Sequence, residues 1–285
     1  MKLAIGTANL DKRYGFRKSK IKKAEIIKLF RFIKKNKINL IDTAQIYGNS
    51  EKIIGNQKLN KEKIITKIYV NSKNYKKKFF IENVQKSLKR LKRKKIYGLL
   101  IHNIFDLKFE KRKSLFKILK FLKRNKKIQK IGFSIYSPKD LSYFKNLLTP
   151  DILQIPINIF DRRFDSKFFK KYIFGNRIEI HSRSCFLQGL IINYKKNDIR
   201  FQKFKKWNFL FNNLDKFCEK FSITRMEACI LYLKKNKMIK YAIFGFENIK
   251  QLKMITSLFN NNSKILKFPN NLSIKDEKLI DPRKW

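Results

Sequence analysis

Cysteine is scarce in this chain. The 285 residues hold three, Cys185, Cys218 and Cys229, with no CxxC spacing. That excludes a disulfide-stapled secreted scaffold and predicts reduced, buried thiols. Histidine is scarcer still, His102 and His181 alone, and neither an HExxH nor a Cys–His cluster occurs, so no metal site is expected. No run of about 18 apolar residues occurs, which predicts no membrane helix. The stretch Met1–Leu10 lacks the long apolar segment and small-residue cleavage site of a secretory signal, so the cytoplasm is the expected compartment. Linkers rich in Pro, Gly or Ser are missing too. Acid is in short supply: 21 Asp and Glu face 70 Lys and Arg, for a formal net charge of +49.

That charge invites a nucleic-acid reading, which its make-up opposes. Lys supplies 56 of the basic residues and Arg only 14. Base readout and bidentate grips on phosphate favour Arg. The lysines spread along the whole chain, and the accompanying excess of Asn, Ile and Phe matches AT-rich coding. The surface is therefore expected to be solvated lysine, with no specific nucleic-acid partner and no membrane partner. At 43% hydrophobic and 14% aromatic, the chain can bury a sizeable core.

Short β-branched runs alternate with amphipathic stretches. Strands are expected over residues 3–8, 39–44, 64–68, 97–103, 130–136, 152–159, 177–184 and 241–246. Ser19 is expected to cap a first helix with Ala24, Ile27, Phe30 and Ile33 on one face. Further helices are expected over 50–55, 76–91, 112–125, from Pro138, 164–172, 207–221, 224–236 and 248–260. Eight strand–helix units in under 300 residues predict a single-domain α/β fold, the closed (β/α)8 TIM barrel. A doubly wound open sheet is the alternative, weakened because no GxGxxG turn follows the first strand. Residues 1–260 are read as the barrel and 261–285, with little periodicity, as a tail packed on its surface.

In a barrel the reactive groups stand where strands end, at the carboxyl face. The second strand ends in Asp42, with Tyr47 in the loop beyond. The third ends in Lys67 and the fourth in His102. The fifth carries Ser134, the sixth Gln154 and Asn158, the seventh Arg183 and Ser184. Each has a plain structural explanation when taken singly; their recurrence at consecutive strand ends points to a site. A tyrosine hydroxyl titrates near pH 10, too high for ready exchange at neutral pH. A neighbouring ammonium would lower that value, so Lys67 is expected to tune Tyr47 downward, with Asp42 holding the lysine charged. His102 would donate a hydrogen bond to a carbonyl oxygen as charge develops on it.

These residues lie in motifs that resemble the aldo-keto reductases, in the family's order and over nearly the whole chain. They are GTANLDKRYG from Gly6, DTAQIYGNSEKIIG from Asp42 to Gly55, IITKI around Lys67, LLIHN around His102, GFSIY at Gly132, LQIPINIFDRR at Leu153, RSCFLQGLI at Arg183 and AIFGFENIKQL at Ala242. The resemblance implies an NAD(P)H-dependent oxidoreductase that reduces an aldehyde or ketone, simple or sugar-derived, to an alcohol. It implies Tyr47 as proton donor, Asp42 and Lys67 as its tuning pair, and His102 as the group that orients the carbonyl. It also implies a cofactor site of Gly6, Thr7, Asp42, Ser134, Gln154, Arg183, Ser184, Gly245 and Gln251. Lys250 and Lys253 tilt the expected cofactor toward NADPH, with NADH as the other choice. Three features depart from the family's pattern. Ile135 replaces an Asn beside the serine, Arg183 replaces a stacking aromatic, and Met254–Ile255 replace a Glu-Asn pair that contacts adenine. The other reading of the same motifs is a cofactor-binding regulatory or interaction protein with little turnover.

Overall fold

The structure is a computed structural model that describes residues 1–16, 20–59, 61–71, 75–105, 107–261 and 266–285. Eight strands form its centre: β1 (Lys2–Gly6), β2 (Leu40–Asp42), β3 (Lys63–Ile68), β4 (Ile96–Ile101), β5 (Ile128–Ser134), β6 (Ile152–Pro156), β7 (Glu179–Arg183) and β8 (Ile239–Phe244). Every neighbouring pair is parallel, and β8 closes on β1 through the register Lys2↔Tyr241 to Ile5↔Phe244. The fold is the closed (β/α)8 barrel, and the strands fall within about three residues of their expected positions.

The barrel's inside and outside are packed separately. Inward-facing Ala4, Leu40, Ile65, Tyr97, Leu100, Ile152, Tyr241 and Ile243 form one buried cluster that fills the interior. A larger apolar cluster joins the outer strand faces to the surrounding helices. Those helices are α1 (Lys23–Lys35), α2 (Ser50–Gly55), α3 (Lys77–Leu91), α4 (Phe109–Arg124), α5 (Lys167–Gly175), α6 (Leu190–Asn193), α7 (Asn208–Phe221), α8 (Arg225–Lys235), α9 (Ile249–Asn260) and α10 (Glu277–Ile280). Side-chain oxygens of Ser166, Thr224 and Asn248 start α5, α8 and α9 by accepting from backbone N–H groups of their first turns.

Two expected details differ, and a third is not described. The proposed cap Ser19 lies outside the described residues. In α1 the buried stripe is Ile26, Leu29, Phe30 and Ile33, whereas Ile27 is 58% exposed and Ala24 also faces out. A strict spacing of three drifts around a helix of 3.6 residues per turn, and Ala24 stands about half a turn from Ile33. The segment Pro138–Tyr143 is a 3₁₀ helix rather than an α-helix, opened by a reciprocal cap between Ser137 and Asp140.

Beyond α9 the chain runs back to the carboxyl end of the barrel. Ile274 N donates to Phe160 O at 3.0 Å, and Arg162 Nη2 donates to Pro269 O at 3.0 Å. Arg163 pairs with Asp161 at 2.8 Å and approaches Glu277. The Asn-x-x-Asp-Arg-Arg motif after β6 therefore receives the tail. Leu272, Leu279 and Ile280 are buried, and Trp285 packs edge-on to Phe16 and Phe204.

Candidate active site

The carboxyl ends of the strands open into one cleft of about 190 Å³. At its base, Lys67 is 1% exposed. Its Nζ donates to Asp42 Oδ2 at 2.6 Å and to Thr43 O at 2.9 Å. The other oxygen of Asp42 accepts from Gln154 Nε2 at 2.7 Å. β2 and β3 are neighbours, whereas Gln154 reaches Asp42 across the barrel from β6. These buried polar groups are hydrogen-bonded to one another, as burial requires.

Tyr47 hangs over this pair from the loop between β2 and α2. Lys67 Nζ stands 5.1 Å from the centre of its ring, and the His102 ring meets it edge-on with centres 6.2 Å apart. The loop is pinned on both sides. Gly48 adopts φ +63°, and a Cβ there would fall 2.5 Å from Asp11 Oδ2, so the turn after Tyr47 excludes other residues. Asp11 accepts from Asn49 N at 2.9 Å and from Asn49 Nδ2 at 3.1 Å. Helix α2 is anchored by buried Glu51, which accepts from Thr66 Oγ1 at 2.6 Å and Arg90 Nε at 2.7 Å. The Ser-Glu and Gly of the sequence motif are thus structural: a Cβ on Gly55 would lie 2.1 Å from Arg90 O. His102 is set by its own N–H to Ile68 O at 2.9 Å, and Asn103 exchanges two hydrogen bonds with the Val70 backbone.

The electrostatics of Tyr47 differ from the sequence expectation. Burial raises its phenol well above the ordinary value, Asp42 adds to the rise, and Arg183 opposes it. Lys67 does not prevail because its charge is matched by Asp42 at 2.6 Å. The phenol stays protonated, as a proton donor must be. His102 is pushed down to about 3, by burial first and then by the charges of Lys67 and Arg183. It is neutral at physiological pH, so one ring nitrogen is a donor and the other an acceptor. Its Nδ1 is buried without a hydrogen-bond partner.

The remaining expected residues divide. Gly6, Thr7, Gln154, Arg183, Ser184, Gly245 and Gln251 all line the cleft with Asp42, Tyr47 and His102. Thr7 Oγ1 donates to Asp42 O at 2.9 Å, holding β1 against β2. Ser134 is 1% exposed at the end of β5 and does not line the cleft. Gln154 lines it, with its amide N–H engaged by Asp42. Of the pair in place of Glu-Asn, Met254 is exposed and Ile255 is buried in the core. Sequence reasoning missed Asn9, whose side chain donates to Phe246 O across the β1 and β8 loops. It also missed Tyr136, Pro282 and Arg283. Tyr136 sits inside the quoted GFSIY segment; the tail pair belongs to a stretch without periodicity and gave no signal.

A sequence profile of the aldo/keto reductase family matches residues 2–267. This chain belongs to that family. It is an oxidoreductase of the aldo-keto reductase type, acting on small-molecule carbonyl compounds in a family that uses nicotinamide nucleotides. Among solved structures it is similar to the glycerol dehydrogenase AKR11B4 of Gluconobacter oxydans, at 23% identity and a TM-score of 0.72, over 92% of this chain and 87% of that one. It is also similar to the aldo-keto reductase AKR11C1 of Bacillus halodurans, in a holo form, at 15% identity and 0.73, over 95% of each chain. These likenesses bear on the fold. A sequence search against curated proteins finds no match. Among the described residues, no helix is long and apolar enough to cross a membrane.

Proposed function

We propose that this aldo-keto reductase reduces an aldehyde or ketone to an alcohol with Tyr47 as the proton donor and NADPH as the preferred nucleotide. The observation that carries this reading is the meeting of the Tyr47 and His102 rings above the buried Lys67–Asp42 pair, at one end of a cleft that continues to Gly245 and Gln251. Neutral His102 donates a hydrogen bond to the carbonyl oxygen and orients it. Tyr47 passes its phenolic proton to that oxygen as negative charge builds there. Lys67 then steadies the phenolate, and Asp42 keeps Lys67 charged and in place. A nicotinamide nucleotide held in this cleft would supply the hydride for the carbonyl carbon.

The lining fits a nucleotide. Gly6, Thr7, Gln154 and Ser184 border the cleft beside the reacting groups. Gly245 leaves open space where a side chain would stand, so a ligand can approach its backbone. Gln251, in the first turn of α9, closes the far end, and exposed Lys250 and Lys253 favour the extra phosphate of NADPH over NADH. Ser134, buried at the end of β5, pairs in register with Gln154 of this lining. Three free cysteines, all buried, suit the cytoplasm. The test is titration with NADPH and NADH, followed by nucleotide oxidation against simple and sugar-like aldehydes. Binding with turnover, tighter for NADPH, is expected. Binding without turnover of any aldehyde would favour the regulatory reading instead.

A further inference from the structure

Arg183 does more in the cleft than the family resemblance assigns it. Its Nη2 donates to Ile135 O at 3.2 Å. Its Nε is buried and unpartnered, its Nη1 makes no hydrogen bond, and it forms no ion pair among the described residues. The guanidinium lies over the Tyr136 ring, 4.1 Å from its centre. A second guanidinium, that of Arg283, lies 3.4 Å from the same centre. Two groups this close to one centroid must occupy opposite faces, so Tyr136 is sandwiched. Arg283 is itself fixed by a forked pair with Asp281, at 2.5 and 2.9 Å, and Asp281 is 2% exposed. Asp42 is already matched to Lys67 and Asp281 to Arg283. Asp161, which also feels the Arg183 charge, is matched to Arg163. Among the described residues Arg183 thus faces the cleft without an ion pair of its own, near enough for its charge to act on both Tyr47 and His102.

We infer that Arg183 anchors an anionic group, a carboxylate or phosphate, carried by the carbonyl substrate, and that Tyr136 and Arg283 hold its guanidinium in position. A planar fork stacked on an aromatic ring is suited to this task. The inference rests on the reductase reading and narrows its substrate to acidic aldehydes or ketones. The alternative source of the same chemistry is a phosphate of the nucleotide, and the experiment separates the two.

Turnover of 4-oxobutanoate is compared with that of butanal, its uncharged counterpart, in wild type, Arg183→Gln and Arg183→Lys. The wild type should favour the carboxylate in kcat/KM by about 10- to 100-fold, the worth of charge-assisted hydrogen bonds. Arg183→Gln should erase that ratio, and Arg183→Lys should fall between. Arg283→Gln should raise KM for 4-oxobutanoate about threefold to tenfold with a smaller change in kcat, and Arg283→Lys, which keeps a cation on the ring, should restore it. If Arg183→Gln slows both aldehydes by one factor and weakens NADPH binding by the same factor, Arg183 grips the nucleotide and the inference is overturned. Calorimetric titration with succinate at about 0.15 M salt keeps the test independent of turnover. One-to-one binding that Arg183→Gln abolishes would uphold the anion site even if no aldehyde turned over. Binding that is absent, or unchanged in a variant shown by circular dichroism to be folded, would refute it.

Discussion

At the scale of single residues, the site depends on groups held in one protonation state by burial. His102 is pushed down to about 3 by desolvation and nearby cations, and buried His181 is also lowered. Below about pH 6.5 the unfolded chain binds protons at these histidines while the native state refuses them, so stability is full above that pH and falls as the pH drops toward 3. Urea denaturation at pH 7 and pH 5 should show this loss in the wild type and a smaller one in His102→Gln. Tyr47, raised by burial and Asp42, should keep its proton well into the alkaline range, so kcat/KM for reduction should not fall on its account between about pH 6 and 9. The residue types were legible in the sequence because a chain with two histidines, and polar groups at apolar strand ends, leaves few candidates. The direction of Tyr47's shift was not. It comes first from burial of the phenol and then from the nearby Asp42 charge, and the depth of that burial is not written in local sequence.

At the scale of elements, strand positions were legible because buried parallel strands read as continuous β-branched runs. The α1 face was misjudged for Ala24 and Ile27 because apolar residues three apart occur on both sides of that helix. The short helix α2 shows why local sequence cannot separate catalytic from supporting residues. Glu51 stands four residues from Tyr47, yet its carboxylate turns inward to Thr66 and Arg90. Removing it leaves a buried hydroxyl and a guanidinium without their acceptor. Glu51→Ala should cost about 2–4 kcal/mol in denaturant unfolding, and Glu51→Gln less.

At the scale of the whole molecule, the barrel separates chemistry from support. The amino-terminal floor holds a second polar cluster. Buried Glu179 accepts from Tyr97 Oη at 2.8 Å, and Lys130 and Lys240 both pair with it. Burial opposes ionisation, but His181, at 3.3 Å, together with Lys130, Lys240 and Tyr97 holds its carboxyl well below the ordinary range. Their contribution is present above about pH 4.5 and lost as pH falls below it. Glu179→Ala should destabilise the fold by about 2–4 kcal/mol at pH 7, with the difference from wild type shrinking in acid, and should leave kcat unchanged at temperatures where the variant is folded. The tail was the least legible part. Its anchors, Arg162, Ile274 and Arg283, act through backbone carbonyls and one tyrosine ring, contacts that leave no periodic trace in sequence.

The most direct test of the central claim is a comparison of wild type and Tyr47→Phe, measuring NADPH binding by fluorescence and aldehyde reduction in the same preparation. Reduction should fall about 10²- to 10⁴-fold, with nucleotide affinity essentially kept, because the change removes the proton and not the pocket. A variant that reduced aldehydes at the wild-type rate would show that the proton comes from elsewhere.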